Sequence, residues 1–162
     1  MTVRVRVRLG TMGRRWEYNF SQRHDFLHAM RDGPYGTRYT LEGSWALLLD
    51  QDDDHTLISI EVLPRSEFWQ VQDELQAPPV EPGQVFVIED IEDGRSQGYL
   101  TDPAYSVFCA RLRAEESELP VQHVAIAEQI VLDIDPSGTL VSVWLLDLPP
   151  EIAIARNGSN TK

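Results

Sequence analysis

Ala46-Leu47-Leu48-Leu49-Asp50-Gln51-Asp52-Asp53-Asp54-His55-Thr56-Leu57-Ile58-Ser59-Ile60-Glu61-Val62-Leu63 decides how this chain is read, because it returns later in altered form. The second copy is Gln129-Ile130-Val131-Leu132-Asp133-Ile134-Asp135-Pro136-Ser137-Gly138-Thr139-Leu140-Val141-Ser142-Val143-Trp144-Leu145-Leu146. The two lie 83 residues apart and align without a gap, with identities at Leu49, Asp50, Asp52, Thr56, Leu57, Ser59 and Leu63. At five further positions one aliphatic residue exchanges for another. A repeat of this length marks two related structural units in one chain. Within the first copy Ile58, Ile60 and Val62 share one strand face, Ser59 and Glu61 the other, and the Asp-rich stretch between Leu49 and Thr56 is a turn.

The surroundings of each copy are also similar. Ahead of the first, Val3, Val5, Val7 and Leu9 alternate with Arg4, Arg6 and Arg8, the pattern of a half-buried strand. Gly10 to Gly13 supplies a turn, and Trp16, Tyr18 and Phe20 alternate on a return strand. Ser21 then reads as an N-cap, with Phe26, Leu27 and Met30 at helical spacing and Gly33-Pro34 as the stop. Ser66 caps a second short helix bearing Phe68, Val71 and Leu75.

Ahead of the second copy, Val85 and Val87 alternate with Phe86 and Ile88, Glu92 to Gly98 is turn-like, and Tyr99-Leu100 begins a return strand. Thr101-Asp102-Pro103 resembles a cap with proline in the first turn, and Tyr105, Phe108, Cys109 and Leu112 follow at helical spacing. The expected fold is therefore α+β. Tandem hairpin-helix-hairpin units form antiparallel sheets with short helices packed on them, about a pseudo-two-fold axis. Residues 1–76 make the first unit, the Pro-rich stretch 77–83 the joint, 84–155 the second unit and 156–162 a disordered tail, with one compact domain as the alternative.

The chain of 162 residues is 42% hydrophobic, which suits a globular protein. Its longest apolar run falls well short of the ~20 residues of a membrane span, and no signal-peptide core opens it. Cys109 is the only cysteine, so no internal disulfide forms and the cytoplasm is the expected compartment. The net charge of −12 argues against nucleic acid and permits a basic protein partner. The charge is uneven: Arg4, Arg6, Arg8, Arg14 and Arg15 make the first fifteen residues basic.

The second half resembles a bacterial family, domain of unknown function 2283, whose members place an alternating apolar segment and an acidic segment before a closing hairpin. The matching residues are Thr101-Asp102-Pro103 ahead of Val107 to Leu112, Glu115-Glu116-Ser117-Glu118, and the hairpin Ile130 to Asp147. Ser142 and Trp144 stand where the family favours glycine and glutamate. The resemblance implies no activity. It does imply a strand over 104–112, where cap chemistry and spacing favour a helix.

Three chemistries are worth weighing. Asp50, Asp52, Asp54, Thr56 and Glu61 occupy calcium-loop positions, but His55 replaces the glycine such a loop needs. The second copy has Gly138 but replaces the closing glutamate by Trp144. An Asp-rich turn bonding its own backbone is the simpler reading. His24 and His28, one helical turn apart, resemble half of a zinc motif with no third ligand. Cys109, on an apolar face, reads as a packed thiol rather than a nucleophile, and His123 has no place relative to it.

No catalytic constellation emerges and no cofactor is called for. The expectation is a non-enzymatic protein-interaction module with an unidentified protein partner, using Trp45, Trp69 and Trp144 as candidate contacts. An immunity protein or antitoxin is the first alternative, presenting Asp50 to Asp54 and Glu115, Glu116 and Glu118 to a basic toxin. A calcium-binding protein is the second. The alternating N-terminal strand also leaves homodimerisation through a sheet edge open.

Overall fold

The computed structural model describes residues 2–31, 39–41, 47–62, 64–91, 98–112 and 121–158. Strands dominate. They are β1 (Thr2–Leu9), β2 (Trp16–Ser21), β3 (Phe26–Arg31), β4 (Tyr39–Leu41), β5 (Leu47–Gln51), β6 (Leu57–Val62), β7 (Gln70–Val71), β8 (Glu81–Ile91), β9 (Gly98–Thr101), β10 (Phe108–Arg111), β11 (Gln122–Ala127), β12 (Ile130–Ile134) and β13 (Leu140–Leu145). One α-helix, α1 (Pro150–Gly158), follows them. Among the described residues no helix is long and apolar enough to cross a membrane.

One sheet runs β1-β8-β11-β12-β13-β10-β9-β7 and the other β2-β3-β6-β5-β4. The run β9-β10-β13-β12-β11 within the larger sheet is ordered as β2-β3-β6-β5-β4 is in the smaller. A single core cluster draws on both sheets, with Leu27, Ile60 and Val62 from one and Phe108, Leu132 and Leu145 from the other. α1 adds the fully buried Ile152 to it.

The two quoted stretches form the hairpins β5–β6 and β12–β13 in matching register. Asp50 pairs with Ser59 and Asp133 with Ser142. Each hairpin has an irregularity directly after that aspartate. The tips contact strands from opposite ends of the chain: Val5 N–H donates to Gly138 O at 2.8 Å, and Val87 N–H donates to His55 O at 2.8 Å.

The expected helices are strands. Over Phe26–Met30 the burial alternates, with Leu27 and Ala29 inside, and β3 sits between β2 and β6. Asp25, at φ +50°, forces a left-handed turn before it. At the second site the Asp102 carboxylate accepts the amides of Ser106 and Val107, and Tyr105 takes φ +54°. Such a turn competes with a helix start. Phe108, Cys109 and Ala110 are then buried on both faces of β10, which erases the two-residue period. Of the strand over 104–112 that the family resemblance implies, only Phe108–Arg111 forms.

Three further expectations change. β1 does not return on β2: it pairs with β8, while β2 pairs with β3 in the other sheet. The connection passes close to β11, where Gly13 N–H donates to Ile126 O and a Cβ at Gly13 would meet that oxygen at 2.9 Å. Likewise β9 pairs with β10 and β7, not with β8. From Ser66 only a 3-10 turn, Ser66–Phe68, forms before β7. Of the tail, residues 156–158 complete α1, and 159–162 lie outside the described residues. In the Pro-rich joint Glu81-Pro82-Gly83 already belongs to β8.

Candidate functional site

The Asp-rich tips are self-satisfying turns. Asp52 Oδ1 accepts the amides of Asp54 and Thr56, both at 3.0 Å. Its Oδ2 accepts Thr56 Oγ1 at 2.8 Å and Arg31 Nη2 at 3.0 Å. Asp135 Oδ1 likewise accepts the amides of Ser137 and Thr139 at 3.0 and 2.9 Å, and Ser137 Oγ at 2.7 Å. Burial pushes the Asp52 carboxyl up, but the Thr56 bonds and the Arg31 guanidinium outweigh it and hold it below the usual carboxylate range.

This geometry corrects the metal candidates. Asp50 is buried in β5 and accepts Ser59 Oγ at 2.6 Å. Asp54 is exposed, and Glu61 faces His28, with Nε2 and Oε1 3.8 Å apart. Asp50, Asp52, Asp54 and Glu61 do not converge, and among the described residues no three His, Cys, Asp or Glu side chains are gathered to hold a metal. His24 lies in an exposed turn and His28 on β3, so the helical spacing is absent.

A polar cluster crosses four strands of the larger sheet. Register places His123, Asp133, Ser142 and Arg111 side by side on β11, β12, β13 and β10. His123 Nδ1 and Asp133 Oδ1 are 2.5 Å apart, and Trp144 Nε1 donates to Asp133 Oδ2 at 2.8 Å. The buried carboxylate thus orients an imidazole and an indole together. Such an arrangement fixes a histidine tautomer and leaves Nε2 as the ring's second polar atom. Cys109, beside Ser142 and Arg111, is buried; burial and the Asp133 charge push its thiol up to about 12. At neutral pH it is a protonated packing group.

A second cluster ties the chain ends together. The buried Asp25 carboxylate accepts Ser66 N–H at 3.0 Å, Ser66 Oγ at 2.7 Å and Arg156 Nη2 at 3.0 Å. Gln129, also buried, acts as a strand partner for Trp16. Its Oε1 accepts Trp16 N–H at 3.1 Å, and its Nε2 donates to Trp16 O at 2.7 Å.

The partner candidates move as well. Trp69 is buried against Phe108, ring centroids 4.8 Å apart, and its indole donates to Pro64 O at 3.1 Å. Trp144 is buried too, packed with Leu100, Cys109, Ala125 and Val131 on the outer face of the larger sheet. Trp45, Glu115 and Glu116 lie outside the described residues. Among the described residues the exposed large apolar side chains are instead Phe68, Ile88, Ile154, Leu9, Val71 and Val80. Asp133 is visible in the sequence as the repeat partner of Asp50; its pairing with His123 depends on the β11–β12 turn at Glu128-Gln129, which carries no glycine or proline to mark it.

No family model and no curated protein matches this chain.

Proposed function

We propose that the chain is a non-enzymatic protein-interaction module, built from two copies of one β unit about a pseudo-two-fold axis. The duplication is supported by the matched hairpins, the shared strand order and the reciprocal contacts of Val5 and Val87. The larger reactive side chains serve the scaffold: Cys109 packs, Asp52 closes a turn, and Asp133 holds His123 and Trp144. The proposed compartment is the cytoplasm, consistent with Cys109 as a free thiol.

One observation carries the interaction reading. Phe68, in the turn just ahead of β7, is 71% exposed, and Val71, three residues on in β7, is 45% exposed; β7 is the edge strand of the larger sheet. An exposed aromatic beside a strand that, among the described residues, ends its sheet marks a contact surface.

A photo-crosslinking residue at position 68 of the full chain, in its native cell, tests this. A discrete adduct that Val71→Asp abolishes and that a crosslinker at the exposed Gln22 does not form is the expected result. Absence of any adduct at position 68 overturns the reading.

A further inference from the structure

We infer that the outer face of the β1–β8 ribbon docks an acidic, extended protein segment. This rests on the interaction reading and adds a surface and a partner chemistry to it.

Arg4, Arg6 and Arg8 occupy alternate positions of β1 and are all exposed, while Val3 and Val5 on its other face are buried and Val7 is half-buried. Alternate residues of a strand advance about 6.6 Å, so the three guanidinium groups form a row about 13 Å long. Their cross-strand neighbours on β8 are Glu89, Phe86 and Gln84. Only Glu89 is acidic. It lies 3.9 Å from Arg4, with both side chains more than half exposed, so solvent screens the pair. Arg6 sits over the Phe86 ring at 5.1 Å, and Arg8 borders a cleft with Gln84 and Thr11. Among the described residues neither Arg6 nor Arg8 has a carboxylate partner. Ile88, 67% exposed on β8, gives the ribbon an apolar contact.

Charge complementarity selects the occupant. The chain carries −12 overall, yet residues 1–16 hold five arginines and no acidic residue. A basic row on an acidic molecule attracts a negative segment to that place and repels it elsewhere. An extended segment with carboxylates at alternate positions repeats at the spacing of the arginines. A second copy laid face to face on the ribbon sets arginine against arginine, which is unfavourable. A nucleic acid carries its charge well beyond the arginine row and so sets most of its phosphates against the acidic remainder of the molecule.

The test uses the full chain and a fluorescent peptide of about ten residues alternating Glu and Thr, the length of an ordinary strand pair. Its counterpart carries Gln for Glu. Binding read by anisotropy at low salt is expected for the Glu peptide alone. Arg4→Glu with Arg6→Glu and Arg8→Glu should weaken it at least about tenfold, whereas three Arg→Lys changes should retain most of it. Reversal of the exposed Arg23 and Arg65 should leave it intact. No binding by the wild-type chain overturns the inference. So does equal loss in the Arg23/Arg65 variant, tighter binding of an oligothymidylate, or self-association that the triple reversal abolishes. An adduct at position 68 that persists without peptide binding leaves the interaction module standing and removes only this surface.

Discussion

Arg156 Nη2 donates to Asp25 Oδ2 at 3.0 Å, joining side chains 131 residues apart. Only 4% and 15% of these side chains are exposed, so the pair is largely shielded from solvent. It fastens α1 to the turn between β2 and β3, beside the Ser66–Phe68 turn that Asp25 also holds. Removing one partner of a buried pair leaves the other uncompensated, which costs about 3–5 kcal/mol. Asp25→Ala should therefore lower urea stability strongly, and more than Arg156→Ala, because it also strands Ser66. The double variant should cost less than the two single losses together.

Gln129 offers a sharper contrast. Its amide both accepts from and donates to Trp16, so only a group with both capacities fits. Gln129→Ala should cost about 1–3 kcal/mol by leaving two buried backbone groups unpaired. Gln129→Glu should do no better, since a carboxylate accepts from Trp16 N–H but is set against Trp16 O. Equal stability of wild type and Gln129→Glu in urea would contradict this account.

Asp52 predicts a pH dependence. Its folded carboxyl is held below the ordinary value of 3.8, so its contribution is fully present above that value and disappears as pH falls through the folded one. The stability gap between wild type and Asp52→Asn should stay level from neutrality to about pH 5 and close in stronger acid. Because both Asp52 oxygens already accept hydrogen bonds, millimolar Ca²⁺ should leave the thermal midpoint unchanged. A rise lost on Asp50→Asn with Asp52→Asn would restore the tip as a metal site.

How much of this was legible follows from the range of the contacts. The Asp-rich hairpins announce themselves locally, by alternation around a turn whose side chains bond their own backbone. β1 was legible as a strand, but its pairing with β8 joins residues about eighty apart and leaves no local trace. β10 was misread because Phe108, Cys109 and Ala110 are all buried, and an apolar run without alternation fits a helix equally well. Trp144 reads as a surface contact because it lies on the strand face opposite Val141 and Val143. Met12, Leu75, Val107 and Leu146, from four separate segments, pack against its cluster.

The two hairpin tips invite a reciprocal exchange. His55 and Gly138 stand at corresponding positions with φ of +65° and +81°. A non-glycine residue in this region is strained by its Cβ, by about 1 kcal/mol. His55→Gly should stabilise the protein by a few tenths to about 1 kcal/mol, offset partly by chain entropy. Gly138→Ala should destabilise it further than that gain, since its Cβ would also meet Val5 O at 3.1 Å. Thermal midpoints of the two variants decide it: both moving in the same direction would break the correspondence.

Cys109 gives the simplest chemical readout. A thiol pushed up to about 12 from an ordinary 9.0 has about a thousandfold less thiolate at pH 8, and its burial excludes reagent as well. The native protein should react with a disulfide reagent at least about a thousandfold more slowly than the urea-unfolded chain. Since Arg111 and Ser142 bond the sulfur while the Asp133 charge opposes its ionisation, Asp133→Asn should ease ionisation without exposing the thiol. Reaction should then remain limited by local opening, and accelerate with sub-denaturing urea in both proteins. Rapid labelling of the native chain at neutral pH would show that β10 and β13 do not enclose the thiol, and would reopen Cys109 as a reactive group.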